Sequence, residues 1–184
     1  VTRIIAGEAG SLRLATPGDS TRPTSDRVRE AMFSALDARI DFDGLRVLDI
    51  YAGSGALGLE ALSRGAVSLI AVEKDRKACQ VVTDNVARVT GALHREVQTT
   101  VLCQPAERTL GTLPAATVDL AFVDPPYDLD DDALIDILSA IPLADEGIAV
   151  VERSAKTAAP SWPEGLTELS AKTYGDTVVY LLSR

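Results

Sequence analysis

Four consecutive residues, Asp124-Pro125-Pro126-Tyr127, combine a carboxylate, two rigidly held carbonyl oxygens and an aromatic ring. They follow the apolar run 118–123, which is typical of a buried strand. Proline cannot continue a strand ladder, and the residue before a proline is kept out of the helical region. The chain must therefore leave the sheet in a stiff, extended conformation. Its carbonyls can then face a cleft at the carboxyl end of the strand, where open α/β sheets bind ligands.

This tetrapeptide suits a planar molecule that carries an exocyclic amino group. The Asp124 carboxylate and a proline carbonyl accept its two N–H bonds, and the Tyr127 ring stacks on its face. The simpler alternative is a rigid strand exit with a tyrosine at the surface. We adopt the first interpretation and expect catalytic roles for Asp124, Pro125, Pro126 and Tyr127.

A second motif, Gly53-Ser54-Gly55, lies between the apolar run 46–50 and a helical pattern. Gly53 and Gly55 allow the backbone to approach a ligand closely, and Gly58 allows a helix to pack tightly on the strand. Glu73 ends the next strand, 20 residues after Gly53. An acid at this place can hold both hydroxyls of a ribose through its two oxygens.

Gly53 to Gly58 also matches the GxGxxG motif, which leaves a nicotinamide dinucleotide open as the ligand. Two details favour S-adenosylmethionine. Asp49, four residues before the glycines, would repel a pyrophosphate but suits a cationic amino-acid end. The segment Asp124–Tyr127 follows the fourth strand, where a substrate should meet the transferable group. The simpler alternatives are a loop cap for Asp49 and a solvated strand end for Glu73.

We therefore predict that S-adenosylmethionine is the cofactor and that the glycine loop and its acids bind it. The loop and acid residues are Asp49, Ala52, Gly53, Ser54, Gly55 and Glu73. The exit of the third strand, 104–107, falls where such folds place the adenine, and we include Ala106 among the binding residues. There a backbone N–H and the side chain of Gln104 or Glu107 could bond the edge of the ring.

Strand and helix patterns alternate along the chain and place these motifs on one sheet. Apolar runs predict strands at 46–50, 68–73, 99–103, 118–123 and 147–152, and helical spacing predicts helices at 57–64, 76–89 and 131–141. Such alternation indicates a parallel sheet with right-handed crossovers. The runs 166–171 and 177–182 have no helix between them and predict an antiparallel hairpin. The predicted fold is α/β, with a doubly wound, mostly parallel seven-stranded sheet that ends in this hairpin.

The N-terminal region follows a different pattern. Alternating runs at 3–6 and 11–15 flank a glycine-containing loop and predict a β-hairpin. Residues 16–23 are typical of a linker. A helix is predicted to follow, with Thr24 or Ser25 as its cap.

Bulk properties favour one globular domain in a reducing compartment. The chain has 184 residues, 46% of them hydrophobic, and no run of the roughly 18 apolar residues that a membrane span needs. The start lacks the layout of a signal peptide, so we expect a cytoplasmic protein with no membrane partner. Cys79 and Cys103 are too few for a disulfide scaffold, and we expect both to pack as small apolar residues. No metal is expected, because no ligand cluster stands out.

The net charge of −9 argues against nonspecific nucleic-acid binding over the whole surface. The charge is uneven: residues 1–39 carry six arginines and five acids, whereas the remainder carries 12 basic and 22 acidic residues. The N-terminal part is therefore the one plausible contact for a polyanion. A helix with mixed surface charges would give similar numbers.

With these motifs assembled, nearly the whole chain resembles the small-subunit ribosomal RNA methyltransferase D family. The matching segments are 3–7, 22–30, 52–65 and 122–127. Many amine methyltransferases share the glycine loop and the Asp-Pro-Pro-Tyr motif, whereas Arg22-Pro23-Thr24 narrows the resemblance to this family. The chain departs from the family in the first hairpin. Members often carry several bases there, and residues 8–13 have one, Arg13.

The resemblance implies S-adenosylmethionine-dependent methylation of a guanine N2 amine in small-subunit (16S) ribosomal RNA. The implied partner is this RNA within the small ribosomal subunit or its assembly intermediate, and the enzyme is expected to act as a monomer. The resemblance also implies that Thr24 and Phe33 border the methionine end of the cofactor.

We divide the chain into an RNA-contacting hairpin and linker, residues 1–20, and a methyltransferase domain, residues 21–184. The hairpin is expected to contribute RNA binding rather than core stability. The expected RNA-binding residues are Arg3, Arg13, Arg22 and Arg27.

Two other functions remain open from the sequence. Asp-Pro-Pro-Tyr suits the N6 amine of adenine in DNA equally well, although 184 residues leave little room for a target-recognition domain. A noncatalytic assembly factor that binds RNA is the other alternative. The intact acid at Asp124 speaks against it, because a binding module need not keep that acid.

Overall fold

A seven-stranded sheet with the order β3-β2-β1-β4-β5-β7-β6 forms the centre of the computed structural model, which describes residues 2–18 and 25–184. Its strands are β1 Arg46–Ile50, β2 Ser68–Val72, β3 Gln98–Leu102, β4 Val118–Val123, β5 Leu143–Ser154, β6 Thr167–Tyr174 and β7 Thr177–Ser183. The first five strands are parallel, and β7 runs antiparallel to both β5 and β6. The predicted fold class is confirmed.

Five helices connect these strands: α1 Asp26–Asp37, α2 Ala56–Arg64, α3 Arg76–Ala92, α4 Ala106–Leu110 and α5 Asp131–Ala140. Ser25 caps α1, because its Oγ accepts the Val28 N–H at 3.3 Å. Thr24, the other predicted cap, lies outside the described residues. The sequence did not predict α4, since five residues are too few to show a helical period.

The helices pack in two layers, one on each face of the sheet. Alternate residues of β1 enter different cores, with Val47 in one and Leu48 in the other. The first core contains α1, α2 and α3, and the second contains α4 and α5. Because both faces are covered, the sheet presents its carboxyl edge, and not a face, to a ligand.

The segment Thr2–Ala15 folds back on itself as predicted, though with little regular strand structure. Arg3 and Arg13 form an isolated antiparallel bridge. Ile4 and Leu14 of this segment are buried in the first core. The expectation that the segment does not contribute to core stability is therefore wrong, because its alternating apolar residues pack against the sheet domain. Its contact with RNA stays a prediction, as does the division of the chain near residue 20.

Cys79 in α3 and Cys103 after β3 are joined in a disulfide, with their Cα atoms 5.8 Å apart. The expectation of two separate apolar thiols is wrong. The two residues lie 24 positions apart in the chain, and they meet because α3 returns across β3. Among the described residues, no helix is both long and apolar enough to span a membrane.

Candidate active site

The loops after β1, β2 and β4 meet at the carboxyl edge of the sheet around a cavity of about 560 Å³, here called the glycine-loop cavity. Its volume is in the range of small-molecule sites. Most of the predicted site residues line it: Asp49, Ala52, Gly53, Ser54, Glu73 and Asp124–Tyr127. The parallel register explains this meeting, since β1 pairs with both β2 and β4.

Asp49 is buried at the end of β1 and lines the cavity. Its Oδ2 accepts the Gly58 N–H at 2.9 Å, so the residue is a cap for the loop as well as part of the cavity wall. Burial raises the pKa of Asp49 to about 8; the Gly58 hydrogen bond opposes this rise, and the charges of Asp124 and Glu73 add to it. A cation in the cavity would favour the ionised carboxylate.

Glu73 is held by the backbone on both of its oxygens. Oε2 accepts the Gly53 N–H at 3.0 Å, and Oε1 accepts the Asp75 N–H at 2.9 Å. An ionised carboxylate offers about four acceptor positions, so each oxygen can still accept one hydroxyl. Glu73 is thus an oriented group in the cavity wall and not a solvated strand end.

Gly55 begins the turn into α2 with φ +76°, in the left-handed region that favours glycine. A Cβ at this position would lie 2.5 Å from Val82 Cγ2, so no side chain fits there. Gly58 is also closely packed, because a Cβ would lie 2.5 Å from Leu69 Cδ1 and 3.1 Å from Asp49 Cβ, so a side chain there would force its neighbours to shift. This close approach of α2 to β2 is the tight helix packing that the glycine spacing predicts.

Tyr51 is a cavity residue that the sequence analysis missed. Its backbone has φ +64°, which is uncommon for a residue other than glycine and concentrates at functional sites. Its hydroxyl is buried and has no hydrogen-bond partner among the described residues. Burial, followed by the charge of Glu107, raises the pKa of Tyr51 to about 12, so the hydroxyl remains a donor at neutral pH.

Arg29, on α1, is a second residue of the cavity wall that was not predicted from the sequence. It is 1% exposed and lines the glycine-loop cavity. Nη2 donates to the Arg3 carbonyl at 2.7 Å and to Asp26 Oδ1 at 2.6 Å. Nε and Nη1 are buried and unpaired within the described part of the chain. Its burial could have been predicted from the helical spacing, because Arg29 lies on the same face of α1 as Met32, Phe33 and Leu36.

Unpaired N–H groups in a buried guanidinium are costly, and a ligand acceptor in the cavity would remove that cost. Arg29 and Asp49 line the same cavity, so the wall combines a buried base with a buried acid. Once Asp49 is ionised, as a cation in the cavity favours, this pair of opposite charges suits a zwitterion.

Asp124, Pro125 and Tyr127 line both the glycine-loop cavity and a second cavity of about 350 Å³, whereas Pro126 lines only the first. We call the second one the terminal-hairpin cavity, because the β6–β7 turn closes its far side. Asp124 is half-buried and Pro125 is buried, whereas Tyr127 is 74% exposed. The Pro126 carbonyl accepts the Leu129 N–H at 3.1 Å, which leaves the Pro125 carbonyl as the better acceptor for a ligand amine.

Two predicted cofactor residues lie elsewhere than expected. Phe33 is fully buried in the first core, with ring centroids 5.6 Å from those of Phe42 and Phe122. Phe33 is not among the residues that line the glycine-loop cavity, because α1 turns this ring toward the sheet, and its contact with the methionine end stays a prediction. Ala106 begins α4 with a buried side chain, so any contact would come from its backbone. Gln104 Nε2 already donates to Thr109 Oγ1 at 2.8 Å.

The predicted RNA-binding arginines in the described ranges are exposed. Arg3 and Arg13 face each other across the isolated bridge, and Arg27 lies on α1. Like charges directly opposite each other are unfavourable, and an anion between them would relieve the repulsion. One partial compensation is present, since Arg3 Nε lies 3.6 Å from Asp26 Oδ2. Arg22 and Thr24 lie outside the described residues, and RNA contact stays a prediction.

The sheet order and its antiparallel final hairpin define a class I S-adenosylmethionine-dependent methyltransferase fold. The magnesium protoporphyrin IX methyltransferase of Synechocystis PCC 6803, solved with bound S-adenosylmethionine, superposes with a TM-score of 0.67. That comparison covers 91% of this chain and 86% of the other at 15% identity, so it shows the fold alone. The Escherichia coli protein yhhF is nearer, with a TM-score of 0.83, 31% identity and coverage of 100% and 97%.

Sequence comparison identifies the family. The profile of the family described as Conserved hypothetical protein 95 matches residues 2–183. Ribosomal RNA small subunit methyltransferase D of Escherichia coli K12 is 34% identical over 185 residues, which cover 99% of this chain and 89% of that protein. The chain belongs to the ribosomal RNA small subunit methyltransferase D family, so the predicted resemblance is confirmed.

Proposed function

We propose that this protein transfers a methyl group from S-adenosylmethionine to the exocyclic N2 amine of a guanine in small-subunit ribosomal RNA. One observation carries the proposal: Asp124, Pro125 and Tyr127 form a wall that two cavities share. A cofactor in one cavity and a base in the other would meet at this wall. Direct transfer between two bound molecules requires such placement.

The residues of the glycine-loop cavity fit S-adenosylmethionine. Asp49 suits its ammonium and sulfonium charges, and the unpaired nitrogens of Arg29 suit its carboxylate. Glu73 retains acceptor positions for the ribose hydroxyls, while the Tyr51 hydroxyl adds an unused donor. A pyrophosphate, by contrast, would meet the carboxyl groups of Asp49 and Glu73.

When bound, S-adenosylmethionine supplies a methyl group on a positively charged sulfur, which keeps the electrons of the broken carbon–sulfur bond. Asp124 and the Pro125 carbonyl accept the two hydrogens of the guanine N2 amine. These bonds hold the nitrogen lone pair toward the glycine-loop cavity, since both acceptors lie in the shared wall. Asp124 then takes the proton that the nitrogen loses as its new carbon bond forms.

The target base must leave its stack to enter the terminal-hairpin cavity. The exposed Tyr127 ring at the cavity mouth is suited to stack on the base and replace the lost contacts. A cavity of about 350 Å³ has room for one purine base. The terminal β6–β7 hairpin therefore contributes to the substrate site as well as to the sheet edge.

We further propose that the RNA is presented by the small ribosomal subunit or its assembly intermediate. At a net charge of −9, the protein gains little from general attraction to phosphate. Asp128 and the acids at 130–132 follow Tyr127 and would repel a bare phosphate chain, although Asp130 also caps α5 by accepting the Ala133 N–H at 2.7 Å. Basic protein surface on the particle would complement this acidic body. Both cavities are formed by described residues of one chain, which supports action as a monomer. The proposed ribosomal substrate in turn implies action in the cytoplasm.

The test is methyl transfer at matched salt to naked small-subunit RNA, reconstituted particles, mature subunits and duplex DNA, followed by mass spectrometry of the nucleosides. We expect N2-methylguanosine, with particles or subunits methylated faster than naked RNA. Asp124→Asn should abolish product, whereas the control Asp132→Asn, an exposed acid in the first turn of α5, should retain it. N6-methyladenine in DNA would overturn the proposed reaction, and equal or faster methylation of naked RNA would overturn the proposed partner.

A further inference from the structure

Glu152 lies directly beside Asp124 in the wall of the terminal-hairpin cavity. The parallel strands β4 and β5 pair at Val123 and Val151. The residue after Val123 is Asp124, where the chain leaves β4, and the residue after Val151 is Glu152, which is still in β5. Glu152 is only 5% exposed, and the surface that it retains lines the cavity. A base that enters the cavity therefore meets two neighbouring carboxyl groups.

The other charged residues of this wall are less suited to contact the base. Arg153 also lines the cavity, but its two terminal nitrogens already have partners, because Nη1 donates to the Leu129 carbonyl at 3.0 Å and Nη2 to Asp131 Oδ1 at 2.9 Å. The Asp176 side chain is 62% exposed on the β6–β7 turn and lies 4.0 Å from Lys156 Nζ. Glu152 is the acid of this wall that water reaches least.

The proposed reaction places a guanine edge at this pair of acids. Guanine carries two adjacent sets of donors, the N2 amine and the N1–H, whereas the N1 of adenine carries a lone pair. A carboxylate only accepts hydrogen bonds, so it favours the guanine edge and repels the adenine edge.

We propose that Glu152 accepts the N1–H of the target guanine and thereby sets its selection over adenine. The inference rests on the proposed function, in which Asp124 and Pro125 hold the N2 hydrogens. Glu152 is then a specificity-determining residue that contacts the ring next to the reacting amine. The register of β4 and β5 places the two acids at neighbouring positions in the wall of this cavity.

The experiment compares guanine with 2-aminopurine at the target position of the RNA in the particle. 2-Aminopurine keeps the 2-amino group but has a lone pair at N1. For the wild-type protein we expect a kcat/KM ratio of about 100 or more in favour of guanine, since sites built for a hydrogen bond reject analogues that lack it. Glu152→Gln offers an amide N–H to that lone pair, and the ratio should fall at least tenfold.

Asp176→Asn is the matched control, because it changes another carboxylate of the same cavity and should leave the ratio unchanged. A second variant, Glu152→Asp, keeps an acceptor but withdraws it by one methylene. Its ratio of kcat/KM for guanine to that for 2-aminopurine should fall below the wild-type value but less than in Glu152→Gln. If the glutamine variant does not fold, the comparison of Glu152→Asp with the wild type still tests the proposal. Calorimetry with S-adenosylmethionine should show unchanged cofactor binding in both variants.

The possible failures can be told apart. A wild-type ratio near one, or an unchanged ratio in both Glu152 variants, would overturn the role of Glu152 and leave guanine methylation standing. Absence of N2-methylguanosine with the wild-type protein would instead overturn the proposed function on which this inference rests.

Discussion

The carboxylate of Glu60, fully buried within α2, accepts the backbone N–H of Ile5 at 2.6 Å. Its other oxygen accepts the Ala6 N–H at 3.0 Å and Arg64 Nε at 2.8 Å. A buried carboxylate is tolerated only when such donors satisfy it. The N-terminal segment thus supplies two of the hydrogen-bond donors that satisfy the buried Glu60 carboxylate.

Removal of residues 1–15 should destabilise the protein. It exposes the core beneath Ile4 and Leu14 and deprives Glu60 of two donors, and each lost hydrogen bond to a charged group costs about 1.5–3 kcal/mol. Thermal unfolding measures the loss. The double variant Arg3→Gln/Arg13→Gln is the control. It should melt like the wild type, because both residues are exposed, yet bind particle RNA less tightly and with a smaller salt dependence. A truncated protein that melts like the full chain would contradict this role.

Glu73→Ala should weaken the binding of S-adenosylmethionine by about 1–3 kcal/mol, the scale of lost hydrogen bonds to a charged group. The loss arises because Glu73 both orients the Gly53 backbone and retains acceptor positions toward the cavity. Calorimetry measures it. Glu96→Ala, an exposed acid just before β3, should bind normally. Tight binding of NAD with no signal for S-adenosylmethionine would contradict the assigned ligand.

Arg29→Lys should weaken the binding of S-adenosylhomocysteine about tenfold, as expected when one charge-assisted hydrogen bond is lost. Binding of 5′-methylthioadenosine, which lacks the amino-acid end, should hardly change. The difference between the two ligands separates a carboxylate contact from a general effect on the fold. Equal weakening for both would assign Arg29 a purely structural role through the Arg3 carbonyl and Asp26.

Cofactor affinity should rise with pH because of Asp49. Its pKa of about 8 in the free protein means that the carboxyl group is largely protonated below that pH. A cationic ligand binds the ionised form better, so affinity should increase from pH 6 to pH 8 and level off above it, with release of up to one proton. Calorimetry in buffers of different ionisation enthalpy measures that proton. Asp49→Asn should remove both the pH dependence and the proton release.

The same group predicts the pH dependence of stability. A carboxyl with a folded pKa near 8 and an ordinary value of 3.8 binds more protons in the folded state between these limits. Stability of the cofactor-free protein should therefore fall as pH rises through this window. In Asp49→Asn that contribution is absent, while the amide oxygen can still accept the Gly58 N–H. A melting temperature with the same pH profile in variant and wild type would contradict the raised pKa.

Local sequence patterns correctly predicted the bounds of strands whose formation depends on short-range spacing. The predicted bounds of β1 and β4 match the observed ones, because the apolar residues on both faces of these strands fill both cores. β5 is longer than predicted and begins at Leu143. Asp145-Glu146-Gly147 is typical of a turn, but the strand continues through it, with Glu146 at φ +64° and a register shift against β4. Such an irregularity depends on the neighbouring strand and leaves no local signature.

By itself, the sequence determined the alternation of strands and helices, the glycine turn, the acids at the strand ends and the Asp-Pro-Pro-Tyr exit, since each arises from backbone rules that act over a few residues. Tertiary structure decided which side chains face the cavities. On α1 it turned Phe33 into the core and placed Arg29 in the wall of the glycine-loop cavity, and it closed the second cavity with the β6–β7 turn. These outcomes depend on the packing of elements distant in the chain, and a helical or strand period specifies a buried face without naming what that face contacts.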